Sequence, residues 1–315
     1  MRLSLLPLFR RARRLAFNIP VLQLYRYLIS YDSPLRAHFK IDDEQPIDHD
    51  HPAARQPRSP PSPLKRMLTY CLIISFIFFT LVAMLAWSIY KPPDFLIDYL
   101  QWKYPDVLFH VPLSQKMVAL TLDDAPSTST EKVLDVLKAY GVKATFFVIG
   151  SQVQDVPGRP ELLQRMHDEG HEIGNHAWND YPSIKLPLET LEKQMRDVEA
   201  LLPPNTPKDD GSPPKYFRPG SGVFNKAMLG VAKSLGYRVV LGSIYPHDPQ
   251  IPHPKINAAH VLSMVQPGGI IIMHDRRYYS AEQLELVLKG LIADDWKVES
   301  VGGLLKAAEE EAKHE

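Results

Sequence analysis

Three hydropathy regimes follow one another along the chain. The first 66 residues mix arginines with Leu, Phe and Tyr, and then turn proline-rich. Residues 67–90 form a run of 24 residues without a charge. As a helix that run would measure about 36 Å, enough to cross a hydrocarbon core with some tilt. A buried core helix of that length would show a polar face, and a cleaved leader would not follow 66 other residues. From residue 114 onward, short apolar runs alternate with helical periods.

The apolar run 117–122 (MVALTL) predicts a strand. Residues 130–140 have helical spacing, with Val133, Leu134, Val136 and Leu137 apolar, and Gly141 ends them. The same reading gives strands at 144–149, 171–174, 216–218, 238–243 and 269–273, with a last one at 298–301. Helices are expected at 161–169, 188–202, 225–235, 258–265 and 281–292. Loop 203–214, punctuated by prolines, reads as a surface insertion without chemistry. Repeated strand–helix alternation means a parallel sheet covered by helices, an α/β fold of the barrel or doubly wound kind. The expected organisation is a basic, Pro-rich tail (1–66), a transmembrane helix (67–90), a stem (91–113) and one α/β domain (114–310).

Charge sharpens this picture. The 315 residues carry 36 Lys and Arg against 36 Asp and Glu. That zero is the sum of +6 before residue 67 and −6 after residue 90. The flank 51–66 has four basic residues and no acid, whereas 91–106 has two basic residues and three acids. The positive-inside rule then places the N-terminus in the cytoplasm and the C-terminal domain outside or in a lumen, a single-pass type II arrangement held by a signal-anchor. Residues 1–31, with six Arg and no acid, read three ways: a basic segment on anionic lipid, a mitochondrial presequence, or an unstructured basic tail. At 45% hydrophobic residues the chain is not wholly disordered. The absence of net positive charge argues against a general nucleic-acid binder. The single cysteine, Cys71, lies in the apolar run and excludes a disulfide scaffold or a Cys-based zinc knuckle.

In parallel α/β folds, chemistry gathers at the C-terminal ends of strands. The residues that fall there are Asp123-Asp124, Gly150-Ser151, Asn175-His176, Arg218-Pro219, Tyr245–Asp248 and His274-Asp275. Adjacent residues leaving a strand point to different sides. One carboxylate of the Asp123-Asp124 pair can therefore bind a metal while the other takes a proton; the plain alternative is a helix-capping turn. His176 and Asp180 are four apart, the spacing at which both can ligate one divalent cation. The FRPGSG loop after Arg218 could turn backbone N–H groups towards an oxyanion. His274, ending an apolar strand, suits a general acid when a carboxylate holds its other nitrogen. Each motif alone has an ordinary structural reading; the combination is far more specific.

The order TLDDAPS (121–127), ATFFVIG (144–150), GHEIGNH (170–176), FRPGSG (217–222) and GGIIIMHD (268–275) resembles the polysaccharide deacetylases of carbohydrate esterase family 4, the NodB homology domain, in a membrane-anchored, chitin-deacetylase-like form. The resemblance covers about residues 114–305. It implies an irregular (β/α) barrel and one divalent metal ion, zinc first, with manganese or cobalt as alternatives. It makes Asp123 the catalytic base, Arg218 the residue that positions it, His274 the catalytic acid and Asp248 the partner of that acid. It makes Asp124, His176 and Asp180 the metal ligands. Ser221 takes the place whose backbone N–H holds the oxyanion, and Ile272 lines the acetyl pocket. The implied partners are an N-acetylated polysaccharide or oligosaccharide, with membrane lipid around 67–90.

Three positions depart from the family pattern. Asp180 stands where a second His is usual, Ala125 where a Gly is usual, and Ser221 where an aromatic is usual. Two carboxylates and one His leave a zinc site formally neutral, so a bound water is less acidic; oxygen donors also favour harder cations such as Mn²⁺. The expected activity is hydrolysis of N-acetyl groups. An O-acetyl esterase and a membrane-tethered, glycan-binding pseudoenzyme are the alternatives.

Overall fold

The computed structural model describes residues 61–205 and 214–314. The basic tail up to residue 60, and most of the proline-rich loop after Asn205, lie outside the described residues. The elements in chain order are α1 (Pro63–Tyr90), α2 (Asp94–Lys103), β1 (Val107–Leu108), β2 (Met117–Ala125), α3 (Thr130–Tyr140), β3 (Thr145–Val148), α4 (Arg159–Asp168), β4 (Glu172–Asn175), α5 (Leu188–Glu199), β5 (Tyr216–Phe217), α6 (Lys226–Ser234), β6 (Arg238–Val240), α7 (Pro254–Leu262), β7 (Ile270–His274), α8 (Ser280–Ala293), β8 (Lys297–Glu299) and α9 (Val301–His314).

α1 is long and apolar enough to cross a membrane, with 28 residues, a mean hydropathy of 2.5 and no buried residue. Its last residue meets the domain: the Tyr90 carbonyl accepts from His247 Nε2 at 2.9 Å and His260 Nε2 at 3.1 Å. Both imidazoles also lie against the Tyr90 ring.

The strands form one curled parallel sheet in the order β1-β6-β5-β4-β3-β2-β7, with β8 beside the start of β2. The stretch after β6 meets β7 through an Ile244–Ile271 bridge, and His110 meets Gly269, so the sheet curls into an irregular half-barrel. Segment 91–113, the expected stem, holds α2 and β1, and β1 pairs with β6 through Val107 and Leu108.

Strand β2 explains why the barrel needs near-continuous burial. All nine of its residues are buried, as expected of a central parallel strand with both faces covered. Val118, Leu120 and Leu122 face α3 and α8, in a core with Leu134, Leu137, Leu284 and Leu288. Met117 and Ala119 point to the other side, packing with Phe147, Tyr216 and Ile270. The period of two then carries Thr121 and Asp123 onto that same inner face. The polar end of β2 is therefore delivered into the barrel mouth by the same alternation that builds the core.

Candidate active site

Asp123, Asp124, His176, Asp180, Arg218, Ser221, Ile272 and His274 line one cleft of about 510 Å³ at the C-terminal ends of the strands. Asp248 lies directly behind His274. The structure thus brings together all nine residues expected from the sequence.

Arg218 follows β5 and runs into the barrel. Its Nη1 donates to Asp123 Oδ1 at 2.5 Å and to Thr121 Oγ1 at 2.7 Å. Its Nε donates to the Val240 carbonyl at 3.0 Å and Nη2 to the Leu241 carbonyl at 2.7 Å. The guanidinium carbon sits 4.1 Å from the centroid of the Phe147 ring. Arg218 and Asp123 are 2% and 4% exposed, so this is a buried ion pair whose guanidinium donates to acceptors on β2 and at the end of β6. Burial alone would push the Asp123 carboxyl up. The Arg218 guanidinium, helped by His176 and His274, outweighs burial and holds it below the usual carboxylate range.

The neighbouring Asp124 behaves oppositely. Its backbone is left-handed (φ 63°), which turns its side chain away from that of Asp123. Burial pushes its carboxyl up; His176 and His274 only partly offset this, and Asp123 and Asp180 add to it. Two adjacent aspartates thus differ in charge preference because only one touches a guanidinium inside the barrel.

His176 is presented by an Asx turn at the end of β4. Asn175 Oδ1 accepts from Ala177 N at 2.9 Å, and Ala177 itself is left-handed (φ 64°). His176 Nδ1 lies 2.6 Å from the Arg218 carbonyl. A carbonyl only accepts, so Nδ1 carries a proton and Nε2 is the nitrogen left to face the cleft. Nε2 lies 3.8 Å from Asp124 Oδ1. The loop that carries Asp180 passes close to FRPGSG: a Cβ on Gly220 would lie 2.2 Å from the Tyr181 carbonyl oxygen, which is why glycine stands there.

The three expected ligands divide. Asp124 and His176 face one another across 3.8 Å. Asp180 Oδ2 instead accepts from Arg276 Nη2, and the same nitrogen lies 3.6 Å from Asp124 Oδ2. Among the described residues, no three His, Cys, Asp or Glu side chains gather closely enough to hold a metal ion. As arranged, the donors do not fit a three-ligand divalent centre, because a guanidinium already contacts two of them.

On the opposite wall, His274 Nδ1 is 2.8 Å from Asp248 Oδ1, and His274 N donates to Asp248 Oδ2 at 3.0 Å. Nδ1 therefore carries a proton, and Nε2 faces the cleft. Burial opposes charge on the imidazole. The hydrogen bond and charge of Asp248, with Asp123 and Asp124 nearby, override it and push His274 above its ordinary value. The Tyr279 hydroxyl donates to the Asp248 carbonyl and fixes the loop from behind. Tyr245, also in the cleft, packs edge-on against His274 at 5.9 Å. Asp123 and His274 are register partners on β2 and β7. Paired residues of parallel strands point to the same face about 4.8 Å apart.

Two residues contribute beyond the nine expected ones, Asp275 having been placed at a strand end without a role. Asp275, fully buried, accepts from Ser127 N at 3.0 Å and from the Thr130 hydroxyl, and its own N–H donates to the Asp123 carbonyl at 2.8 Å. Burial pushes its carboxyl up to about 6. It clamps the DDAPS turn to the end of β7. Arg276 is the other; the visible signal was two arginines directly after a strand-end His-Asp, facing a cleft with excess acid.

Residues 110–240 match the family model described as polysaccharide deacetylase. A peptidoglycan-N-acetylglucosamine deacetylase of Bacillus cereus is 34% identical over 206 residues, covering 64% of this chain and 93% of that protein. The peptidoglycan-N-acetylmuramic acid deacetylase PdaA of Bacillus subtilis is 32% identical, covering 69% and 82%. Among solved structures, the peptidoglycan deacetylase PdaC of Bacillus subtilis aligns with a TM-score of 0.56 at 32% identity, covering 64% of this chain and 96% of that one. A family-4 pseudoenzyme of Bacillus anthracis aligns with a TM-score of 0.56 at 24% identity, covering 64% and 69%, a likeness of fold alone.

The His274–Asp248 contact has a direct readout. In an NMR titration, the His274 ring is expected to titrate above the ordinary imidazole value of about 6.5. Asp248→Asn removes the charge that raises it and should bring the midpoint down. An unchanged midpoint in the variant would show that Asp248 does not tune the ring.

Proposed function

The chain belongs to the polysaccharide deacetylase family, and from that membership and the geometry of the cleft we propose that it hydrolyses N-acetyl groups on an amino-sugar polysaccharide, releasing acetate. The observation that carries this reading is the placement of Asp123 and His274 as side-by-side register partners, with Arg218 favouring the ionised carboxylate of one and Asp248 favouring the protonated imidazole of the other. An amide needs that combination: a base for the attacking water and an acid for a poor leaving group.

In the proposed reaction the water oxygen joins the acetyl carbon as its proton passes to Asp123. The lowered pKa of Asp123 keeps it ionised, at some expense of basicity. The Ser221 N–H, presented by a left-handed residue at the cleft wall (φ 67°), faces the oxyanion. His274 Nε2 then gives its proton to the nitrogen as the C–N bond breaks, and acetate and a free amine leave. Ile272 lies against Gly242 and offers the acetyl methyl an apolar contact. Family members are generally metal-dependent. In this chain Asp124 and His176 would be the donors of such an ion, and Asp180 joins them only by leaving Arg276.

The substrate reading is an N-acetylated chain of the peptidoglycan or chitin kind, and the relatives above are peptidoglycan deacetylases by name. The Asp180–Arg276 ion pair favours a second reading, a membrane-tethered protein that binds glycan without cleaving it. α1 would span the membrane with the basic tail in the cytoplasm, which puts the cleft on the outer or lumenal side, where polysaccharide is met. The charge bias of the two flanks supports this orientation.

Acetate release from N-acetylated oligosaccharide, with acetylated xylan in parallel, tests the activity. The account expects release from the amide substrate, and at least a hundredfold loss in Asp123→Asn, the scale of a missing general base. Full activity in that variant would remove Asp123 from the mechanism; release only from xylan would make the protein an esterase; release from neither would favour the glycan-binding reading. Orientation is tested separately by protease treatment of sealed vesicles carrying an N-terminal tag. Protection of the tag with digestion of the domain is expected on the cytoplasmic-tail arrangement, and the reverse pattern would overturn it.

A further inference from the structure

Arg276 stands two residues beyond His274, where β7 opens into the cleft. Its recorded polar partners, among the described residues, are two carboxylates: Asp180, by a direct hydrogen bond, and Asp124 at 3.6 Å. Both contacts are made by one atom, Nη2. Asp124 turns its other oxygen to His176 Nε2 at 3.8 Å. The guanidinium therefore sits on the outer side of the Asp124–His176 pair and closes it with a positive charge.

The exposures differ in a way that bears on mobility. The Asp124 side chain is 4% exposed, whereas Asp180 is 48% and Arg276 38% exposed. The buried carboxylate is fixed; the arginine reaches it from solvent on a flexible stem. A divalent ion that binds Asp124 and Asp180 must displace Nη2 from both or share the site with a guanidinium a few ångströms away. In either case the unit charge of Arg276 opposes the ion.

The chemistry of position 180 points the same way. A carboxylate accepts from a guanidinium; a neutral imidazole with its lone pair turned to a metal does not. Asp180 and Arg276 are thus a matched pair, although they stand 96 residues apart in the chain.

We propose that Arg276 is a resident counter-cation of this site, which competes with a divalent metal ion for Asp124 and Asp180 and so sets how tightly the chain holds that ion. This rests on the deacetylase reading for the meaning of the cleft, but its measurement needs no turnover. The account makes metal occupancy depend on the swing of one arginine, and the metal-poor state is the one in which Asp180 is held by Arg276.

The test is calorimetric titration of the full chain in detergent, stripped with a chelator, with Zn²⁺ and separately with Mn²⁺. Arg276→Gln is expected to bind Zn²⁺ at least tenfold more tightly than the parent. Arg276→Lys, which keeps the charge, should stay within about threefold of it. Adding Asp124→Asn to Arg276→Gln should abolish the gain, which locates the ion at this site. Equal or weaker binding in Arg276→Gln, or a gain that survives Asp124→Asn, would overturn the proposal. Acetate release measured on the same samples keeps the two readings apart. Unchanged affinities with acetate release intact sink the counter-cation alone. A tenfold gain with no acetate release at saturating metal supports the counter-cation and contradicts the deacetylase.

Discussion

A guanidinium buried inside a barrel is the constraint on which the site depends. Arg218 reaches Asp123 and Thr121 on β2, and the carbonyls of Val240 and Leu241 at and beyond the end of β6, while its own carbonyl holds His176. Burying that charge is tolerable only because each nitrogen has a partner and one partner is a carboxylate. Removing either member would leave the other charged and dry, a loss of about 3–5 kcal/mol. The same pair that stabilises the barrel mouth fixes where the base points and which imidazole nitrogen faces the cleft.

From that pair the charges of the cleft sort themselves. Asp123 sits against the guanidinium and stays ionised. Asp124, one residue on and turned out by a left-handed backbone, lacks that contact and resists ionisation. Asp248, directly behind His274, favours the protonated form of that ring. Four non-glycine residues with positive φ, namely Asp124, Ala177, Ser221 and His247, lie in or beside the site. Such conformations cost of order 1–3 kcal/mol each and persist where surrounding structure enforces them. Here the enforcement is visible as the Asx turn of Asn175, the clamp of Asp275 on the DDAPS turn, and the seat of His247 on the Tyr90 carbonyl.

Much of this was legible in the sequence because parallel α/β folds put chemistry where apolar runs end. The strands from β2 to β8 were recognisable from their apolar residues and the turns between them, and seven of the nine candidate residues stand at their ends or in the loops that follow; Ser221 and Ile272 came only from the family resemblance. What could not be read has physical reasons. β1 has two residues, too few for any period, and its strand character exists only through pairing with β6. α9 has two glycines in its first turn and continues through a glutamate run, so its apolar positions are sparse, and the last strand ends before the residues expected to close it. Arg276 was silent because a surface arginine has meaning only through what folds against it, and Asp180 arrives from a distant loop. Hydropathy could locate α1 but not the seat of its last residue on two histidines.

The most direct test of the central claim is the order in which the two adjacent aspartates titrate. With carboxyl-labelled aspartate and the metal chelated, NMR can follow Asp123 and Asp124 as the pH is lowered. If the Arg218 guanidinium outweighs burial at Asp123 alone, Asp124 takes its proton first and Asp123 stays ionised below the usual carboxylate range. Protonation of Asp123 before Asp124, or together with it, would contradict the account.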